Sequence, residues 1–143
     1  MDQVIHDFMT TGELSFLALG MRVDRLLKMI PGLELTREID AGLHVYEKGD
    51  LAIVTHEEVV FQFALYFHDP NLVFPSELNF DESAVPRTKR HFLKYLNSNG
   101  LIHSPYLNLF GKQIGVKLKS GVFVSFDRQK LYSIGKTNLH REL

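Results

Sequence analysis

Apolar and polar residues alternate from Leu43 onward in a way that predicts an antiparallel meander in the first half of the chain. The predicted strands are LHVYEK (43–48), LAIVT (51–55) and VVFQFALYF (59–67), with turns at 48–50 and 56–58. By the period of two, the third strand divides into an apolar face and a mixed face. We expect the apolar face to be part of the core: Val59, Phe61, Phe63, Leu65 and Phe67. We expect the mixed face to be a contact surface: Val60, Gln62, Ala64, Tyr66 and His68.

The second half shows the same alternation. Its predicted strands are QIGVKLK (113–119), VFVSF (122–126) and KLYSI (130–134), joined by turns at 120–121 and 127–129. Ile114, Val116 and Leu118 are expected on one face, with Lys117 and Lys119 on the other. This pattern predicts an antiparallel sheet with one face in water.

A short amphipathic helix is predicted before each meander. In the first, Val23, Leu26, Leu27 and Ile30 recur at helical spacing, and Pro31-Gly32 ends the run. The second is expected to have Pro86 in its first turn, an apolar stripe of Phe92, Leu93 and Leu96, and an end at 97–100. Leu26 then corresponds to Phe92 at an offset of about 66 residues, which is compatible with an internal duplication and also with a chance resemblance of two helix-plus-meander units.

The predicted fold class is therefore α+β, with two similar halves that each comprise a short helix and a three-stranded antiparallel meander. The pattern leaves open whether the half-sheets join into one continuous sheet with the helices on one face. We expect a single domain over 1–143, with halves of about 1–70 and 85–143 connected by 69–86. The connection carries apolar residues and should pack on the sheet: Leu72, Val73, Phe74, Leu78 and Phe80.

The amino-acid composition excludes several classes of site. The 143 residues are 45% hydrophobic and 23% charged and include no cysteine, which excludes disulfides, thiolate zinc sites and a cysteine nucleophile. The first 21 residues have no basic leader region and no long apolar run, so we expect a cytoplasmic protein that does not act at a membrane.

Charge is distributed unevenly along the chain. Residues 1–71 hold five Lys or Arg against twelve Asp or Glu, whereas residues 72–143 hold eleven against five. Such a distribution is compatible with mere drift of composition, and also with an acidic face that steers a basic partner or a basic face that steers an acidic one.

Residues 17–32, LALGMRVDRLLKMIPG, contain a Leu-Gly-Met opening, a short helix and a closing Gly. In these features the chain resembles bacterial tandem helix-plus-sheet proteins: the beta-lactamase inhibitor protein, outer-membrane assembly lipoproteins of similar fold, and several immunity proteins. Those families have Ser or Thr after the Met as helix N-cap, where this chain has Arg22, and the lipoprotein cysteine is missing. The resemblance implies a protein that binds another protein through its sheet and loops, with no catalytic residue.

A search for catalytic and metal-binding patterns leads to the same expectation of a protein that is not an enzyme and needs no cofactor. No G-x-S-x-G turn is present, and the glycines at 111, 115 and 121 fit neither a P-loop nor a dinucleotide fingerprint. The histidines lack the i, i+4 spacing of a helical zinc motif, although His44, His56 and His68 recur every twelve residues. We expect them to be scattered on the surface and predict no metal site: His6, His44, His56, His68, His91, His103 and His140.

The leading functional hypothesis is a bacterial immunity or inhibitor protein that neutralises a cognate toxin or enzyme. Acidic side chains would meet a basic active site of the partner, with tyrosines as aromatic anchors. The candidate partner-binding residues are Tyr46, Glu47, Asp50, Glu57, Glu58 and Tyr66.

The alternative is an accessory protein that binds a small ligand or nucleic acid through the concave face between the two sheet segments or through the basic second half. The main candidate residues on this basic surface are Arg87, Arg90 and Lys94, on the outer face of the second helix. Further cations and nearby aromatic rings could extend that surface: Lys89, Lys112, Lys117, Lys119, Arg128 and Lys130, with Tyr95, Tyr106 and Phe123.

Overall fold

The structure is a computed structural model that describes residues 2–138. Within these residues the fold is α+β, with three α-helices, eight β-strands and two short 3-10 turns. The helices are α1 (Gln3–Thr11), α2 (Val23–Met29) and α3 (Lys89–Ser98), and the 3-10 turns are Ser76–Leu78 and Glu82–Ala84. The strands are β1 (Glu34–Asp40), β2 (Leu43–Lys48), β3 (Leu51–His56), β4 (Val59–Tyr66), β5 (His103–Leu107), β6 (Gln113–Leu118), β7 (Val122–Asp127) and β8 (Lys130–Thr137).

All eight strands belong to one antiparallel sheet with the order β1-β2-β3-β4-β8-β7-β6-β5. The central junction is the pairing of β4 with β8, where Leu65 lies opposite Ile134 and Ala64 opposite Gly135. The sheet is therefore continuous, which answers the question that the sequence left open.

The three helices pack on one face of this sheet. Phe8 of α1, Leu26 of α2 and Phe92 of α3 are fully buried in the same apolar cluster as Phe63 and Ile134 of the central strands. Phe8 and Phe63 stack with ring centroids 5.6 Å apart. Because side chains alternate across a strand, this one-sided core leaves the opposite face of the sheet without a helix from the described residues.

Two predicted strand faces are wrong because β-bulges change the alternation. In β4, Val54 pairs with Gln62 and Thr55 with Val60, so Phe61 is an extra residue. Val60 therefore joins the core with Phe63, whereas Phe61 and Val59 are only partly buried. A bulge inserts one residue and so moves every residue on its far side to the other face.

The second bulge lies in β6. Tyr106 pairs with Gly115 and Leu107 with Gln113, which leaves Ile114 as the extra residue. Val116 and Leu118 belong to the core as expected, but Ile114 lies on the opposite face.

The meanders have four strands each, not the predicted three, because β1 and β5 were not anticipated. Both are edge strands: every residue of β1 is exposed, and β5 contains Pro105. Edge strands tolerate exposure and proline because one side of their backbone makes no ladder hydrogen bonds. Helix α1 was also missed, and Pro86 precedes α3, whose N-cap is Thr88, instead of lying in its first turn.

The segment between β4 and α3 packs down as its composition predicted, except that Val73 is exposed. Leu78 and Val85 are buried in the common core, and Leu72, Phe74 and Phe80 pack against it. The rings of Phe67, Phe74 and Phe80 form a contiguous row with centroid separations of 5.2 Å. None of the helices in residues 2–138 combines the length and hydropathy needed to cross a membrane.

Candidate functional site

The face of the sheet that lies away from the helices, called the open face from here on, is the main candidate site. Strand register and side-chain contacts assign the following residues to it: Arg37, Val45, Glu47, Ala52, Val54, Gln62, Ala64, Tyr66, Tyr106, Ile114, Gly115, Lys117, Phe123, Ser125, Tyr132, Ser133, Gly135 and Thr137. The charges in this set lie toward the two edge strands, and its centre is neutral.

The centre of the open face is an aromatic depression of about 510 Å³. Tyr106 stacks on Phe123 with centroids 5.2 Å apart, and Tyr66 meets Tyr132 edge to face at 5.8 Å. Bulge positions supply Tyr132 and Ile114, since Ser125 pairs with Ser133 and Phe126 with Leu131. The bulges therefore add two large side chains to a face that strict alternation would leave sparser.

Two glycines allow the rings to lie close to the strands. A Cβ on Gly135 would come within 2.5 Å of Phe123 Cζ and 2.9 Å of Ala64 Cβ. A Cβ on Gly115 would lie 1.9 Å from the Val124 carbonyl oxygen. The floor of the depression therefore requires the absence of side chains at both positions.

A pair of buried hydroxyls lies in the same floor. Ser125 and Ser133 face each other across β7 and β8, and their Oγ atoms share a hydrogen bond. Because the two hydroxyls hydrogen-bond to each other, both have a partner in this buried position.

Tyr66 lies between the aromatic centre and the charged margin. Burial raises the pKa of Tyr66 above its usual value, Tyr132 and Glu47 raise this pKa further, and Arg37 opposes them. The phenol is therefore neutral at physiological pH and keeps its O–H as a hydrogen-bond donor.

Of the residues proposed from the sequence for partner binding, Glu47 and Tyr66 lie near each other on the open face. Glu47 accepts a hydrogen bond from Thr36 Oγ1 at 2.6 Å, which holds its carboxylate beside β1. Tyr46 is on the helix-covered side, opposite Ile53, and packs against the core. The structure therefore separates the two tyrosines.

The remaining acidic candidates lie at opposite ends of β3. Asp50 closes the β2–β3 turn, and its carboxylate accepts a hydrogen bond from the Val73 amide at 2.7 Å. Glu57 and Glu58 form the β3–β4 turn, where the Glu58 carbonyl accepts from the Val23 amide at the start of α2. As expected, the side chain of Arg22 makes no capping hydrogen bond at the start of α2, because a guanidinium has no acceptor atom for the backbone amides. The four acids do not form one patch.

The basic candidates also divide into two groups. Arg90 and Lys94 are exposed on α3, whereas Arg87 precedes the helix and lines a cleft beside the β7–β8 hairpin. The guanidinium of Arg87 donates to the Phe67 carbonyl at 2.7 Å and lies 5.3 Å above the Phe67 ring.

The regularly spaced histidines do not converge. His44 and His56 are on adjacent strands near the β3–β4 end of the sheet, while His68 lies at the other end and stacks on Tyr132. His140 lies outside the described residues. Among residues 2–138 no group of three or more His, Asp or Glu side chains is placed to hold a metal ion.

The sequence analysis did not identify several residues that line the depression, namely Ile114, Ser125, Phe126, Asp127, Tyr132 and Ser133. The mixed face of the third predicted strand pointed toward Gln62, Ala64 and Tyr66. No comparable signal marks Ile114 and Tyr132, because their position depends on bulges.

In comparisons with known proteins, no protein-family model, curated protein or solved structure matches this chain.

Proposed function

We propose that this chain is a non-catalytic protein-binding module whose partner docks on the open face. The observation that carries the proposal is the aromatic depression, which Gln62 of β4 helps to line and which lies on the side of the sheet that no described helix covers. Asp127 is the single charged side chain among the residues that line the depression, and five of the lining residues are aromatic. This composition matches the anatomy of protein interfaces, where charged residues are depleted in the core and aromatic residues are enriched.

The side chains in the depression suit recognition of a folded protein surface. Tyr66, Tyr106 and Phe123 offer large contact areas with few rotatable bonds, and the phenols can also donate hydrogen bonds. Ring contacts already hold Tyr106 and Tyr66 in place, so little conformational entropy is lost when a partner orders them.

The partner is proposed to be a cognate toxin or enzyme, neutralised in the bacterial cytoplasm by an inhibitor of the immunity type. The resemblance of residues 17–32 to such inhibitors suggests this class. Glu47 is the acidic candidate that lies on the open face beside Tyr66, so a cation in the partner's active site is expected to pair with it. Inhibition then follows from covering the active site, without chemistry on this chain.

The sheet order is consistent with a second part of the proposal, that the chain repeats one helix-plus-sheet unit. Helix α2 directly precedes β1–β4 and α3 directly precedes β5–β8, while α1 at the start of the described residues has no counterpart; the two runs of strands meet at β4 and β8. The depression draws residues from both runs, so a repeat of this kind would create a binding surface broader than one unit could offer.

In the first step, the tagged full chain is used to pull down its partner from the source organism. The expected partner is the protein encoded by the adjacent gene. Gln62→Arg places a long cation in the lining of the depression on the central strand β4, and Gln3→Arg makes the same exchange at an exposed position of α1. The identified partner should bind the wild-type chain and the α1 variant equally. The Gln62 variant should lose at least about a hundredfold in affinity, as expected at an interface centre.

Glu47→Gln tests the charge pairing separately. It should weaken binding and reduce the dependence of affinity on salt concentration, because one ion pair is removed. If the Gln62 variant binds the partner as tightly as the wild-type chain does, docking on the open face is wrong. If the captured protein retains full activity in the complex, the inhibitor assignment is wrong while the binding module stands.

A further inference from the structure

A second concave site lies at the end of the sheet near the β7–β8 hairpin. It is a cleft of about 770 Å³ between the segment after β4, the residues that precede α3 and the hairpin itself. This volume is within the range of about 300–1,000 Å³ that is typical of small-ligand sites. The protein-binding proposal does not use this cleft, apart from Asp127 and Tyr132, which border both sites.

Backbone hydrogen bonds tie the walls of the cleft together. The Phe67 amide donates to the Tyr132 carbonyl at 2.8 Å, the Leu131 amide to the Arg87 carbonyl at 2.9 Å, and the Lys89 amide to the Gln129 carbonyl at 3.0 Å. Three chain segments are thus held in register, so the cleft is preformed and does not depend on a ligand to assemble it.

Three cationic side chains line the cleft: Arg87, Arg128 and Lys130. Asp127 is the single acidic side chain of the lining, and within residues 2–138 none of the three cations takes part in an ion pair within 4 Å. All three cations are exposed, so water screens their mutual repulsion, and together they give the cleft a positive potential that attracts anions. The lining therefore favours a ligand that carries negative charge.

Arg87 is prepared for such a ligand. One of its N–H groups donates to the Phe67 carbonyl, and the guanidinium lies above the Phe67 ring, so the side chain is fixed in place. A guanidinium has five N–H donors, and those that remain suit the oxygens of a phosphate group.

An aromatic surface lies next to the cations. Tyr132 stacks on His68 with centroids 5.3 Å apart and is braced at its edge by Tyr66. Tyr132 is 38% exposed although it is a large aromatic residue, and His68 is exposed as well. A planar ring of a ligand can stack on such a surface, as bases do on aromatic side chains.

We propose that this cleft binds a nucleoside phosphate, with the phosphate held by Arg87, Arg128 and Lys130 and the base stacked at the Tyr132–His68 pair. The same chemistry is offered by a free mononucleotide and by the terminal nucleotide of a nucleic-acid strand. A strand would extend from the cleft toward Lys89 and Lys112, which line a neighbouring pocket together with Arg128.

The test is calorimetric titration of the full chain with AMP, UMP, adenosine and inorganic phosphate at low salt. A nucleotide should bind at least about tenfold more tightly than either adenosine or phosphate, because charged hydrogen bonds and stacking contribute together. Higher salt should weaken nucleotide binding. The proposal is wrong if adenosine binds as well as AMP, or if neither nucleotide binds at millimolar concentration.

Variants locate the site. Arg128→Gln with Lys130→Gln should lower nucleotide affinity at least about tenfold, and Tyr132→Leu about fivefold or more. Arg90→Gln with Lys94→Gln on exposed α3 removes the same charge and should leave affinity within about twofold. An equal loss in the α3 variant would overturn the location. Far-ultraviolet circular dichroism checks that each variant is folded.

A short oligonucleotide of the same base distinguishes the two sources. Tighter binding than the mononucleotide, with a further loss on Lys89→Gln and Lys112→Gln, identifies a nucleic-acid strand as the ligand. Equal binding, insensitive to those two substitutions, identifies the free nucleotide. Because every arm uses the purified chain alone, its outcome is independent of whether a protein partner docks on the open face.

Discussion

Gly135 provides the most direct test of how the centre of the sheet is packed, through the substitution Gly135→Ala. Its backbone does not require glycine, since its φ lies outside the left-handed region that favours glycine, so any cost must come from lack of space. The new Cβ would lie 2.5 Å from Phe123 Cζ and 2.5 Å from the Phe63 carbonyl oxygen.

The two contacts differ in how they can relax. Ordinary carbon contacts need about 3.5–4.0 Å, so the Phe123 ring has to move by about 1 Å and loses its stack on Tyr106. The Phe63 oxygen belongs to the strand paired with β8 and cannot retreat without disturbing the junction of β4 and β8. Overpacking of this kind costs about 1–3 kcal/mol, and the backbone contact favours the upper half of that range.

Equilibrium urea unfolding measures this cost, with an expected shift of the midpoint to lower urea by about 1 M. Gly20→Ala is the matched control, since its Cβ meets nothing within 4 Å while its φ of +87° makes alanine strained by about 1 kcal/mol. Gly135→Ala should be the more destabilising of the two. If it unfolds at the wild-type urea concentration, the close packing of Phe123 over β8 is wrong.

Three further predictions concern polar groups. Among the described residues the buried Oγ1 of Thr55 has no hydrogen-bond partner, so Thr55→Val should raise the free energy of unfolding by about 1 kcal/mol, and a decrease in the urea midpoint would refute this. Ser125→Ala leaves the hydroxyl of Ser133 unpaired and should lower the free energy of unfolding by about 1–3 kcal/mol. In a double-mutant cycle, replacing both serines with alanine should lower this free energy by less than the sum of the two single changes. Hydrogen bonds from the Ser83 hydroxyl and amide lower the pKa of Asp81 in the folded state. The stability that these bonds contribute is therefore present above the unfolded-state pKa and is lost as pH falls through the folded-state pKa. NMR titration of Ser83→Ala should show the Asp81 pKa rising toward its usual value.

The parts of the fold that sequence analysis predicted correctly are those with strong local signals. Strand β2 begins and ends where the alternation of LHVYEK does, and β3 and β4 differ from prediction by one residue at their ends. Their turns carry Gly49 or polar residues, and their strands are rich in β-branched and aromatic side chains, so turn chemistry and propensity agree.

Helix α1 was missed although its signals are present. Asp2 accepts hydrogen bonds from the Val4 and Ile5 amides as N-cap, and Gly12 follows the last turn as C-cap. The buried Ile5, Phe8 and Met9 have helical spacing. An examination of the N-terminal residues for capping, as well as for a leader sequence, would have found this helix.

The faces of β4 and β6 could not be predicted from periodicity, because an alternating pattern does not show where an extra residue enters. Phe61 and Ile114 look like core residues in the sequence and become bulge residues through pairing with β3 and β5. For the same reason Tyr132 was not expected in the depression. Long-range register, which no local pattern encodes, decides which side chains reach the open face.

The central claim is that a protein partner docks on the open face, and the affinity of the identified partner for Gln62→Arg and Gln3→Arg tests it most directly. The claim predicts a loss of at least about a hundredfold for the first variant and wild-type affinity for the second, with both variants folded. Wild-type affinity for Gln62→Arg, or an equal loss for Gln3→Arg, would contradict it.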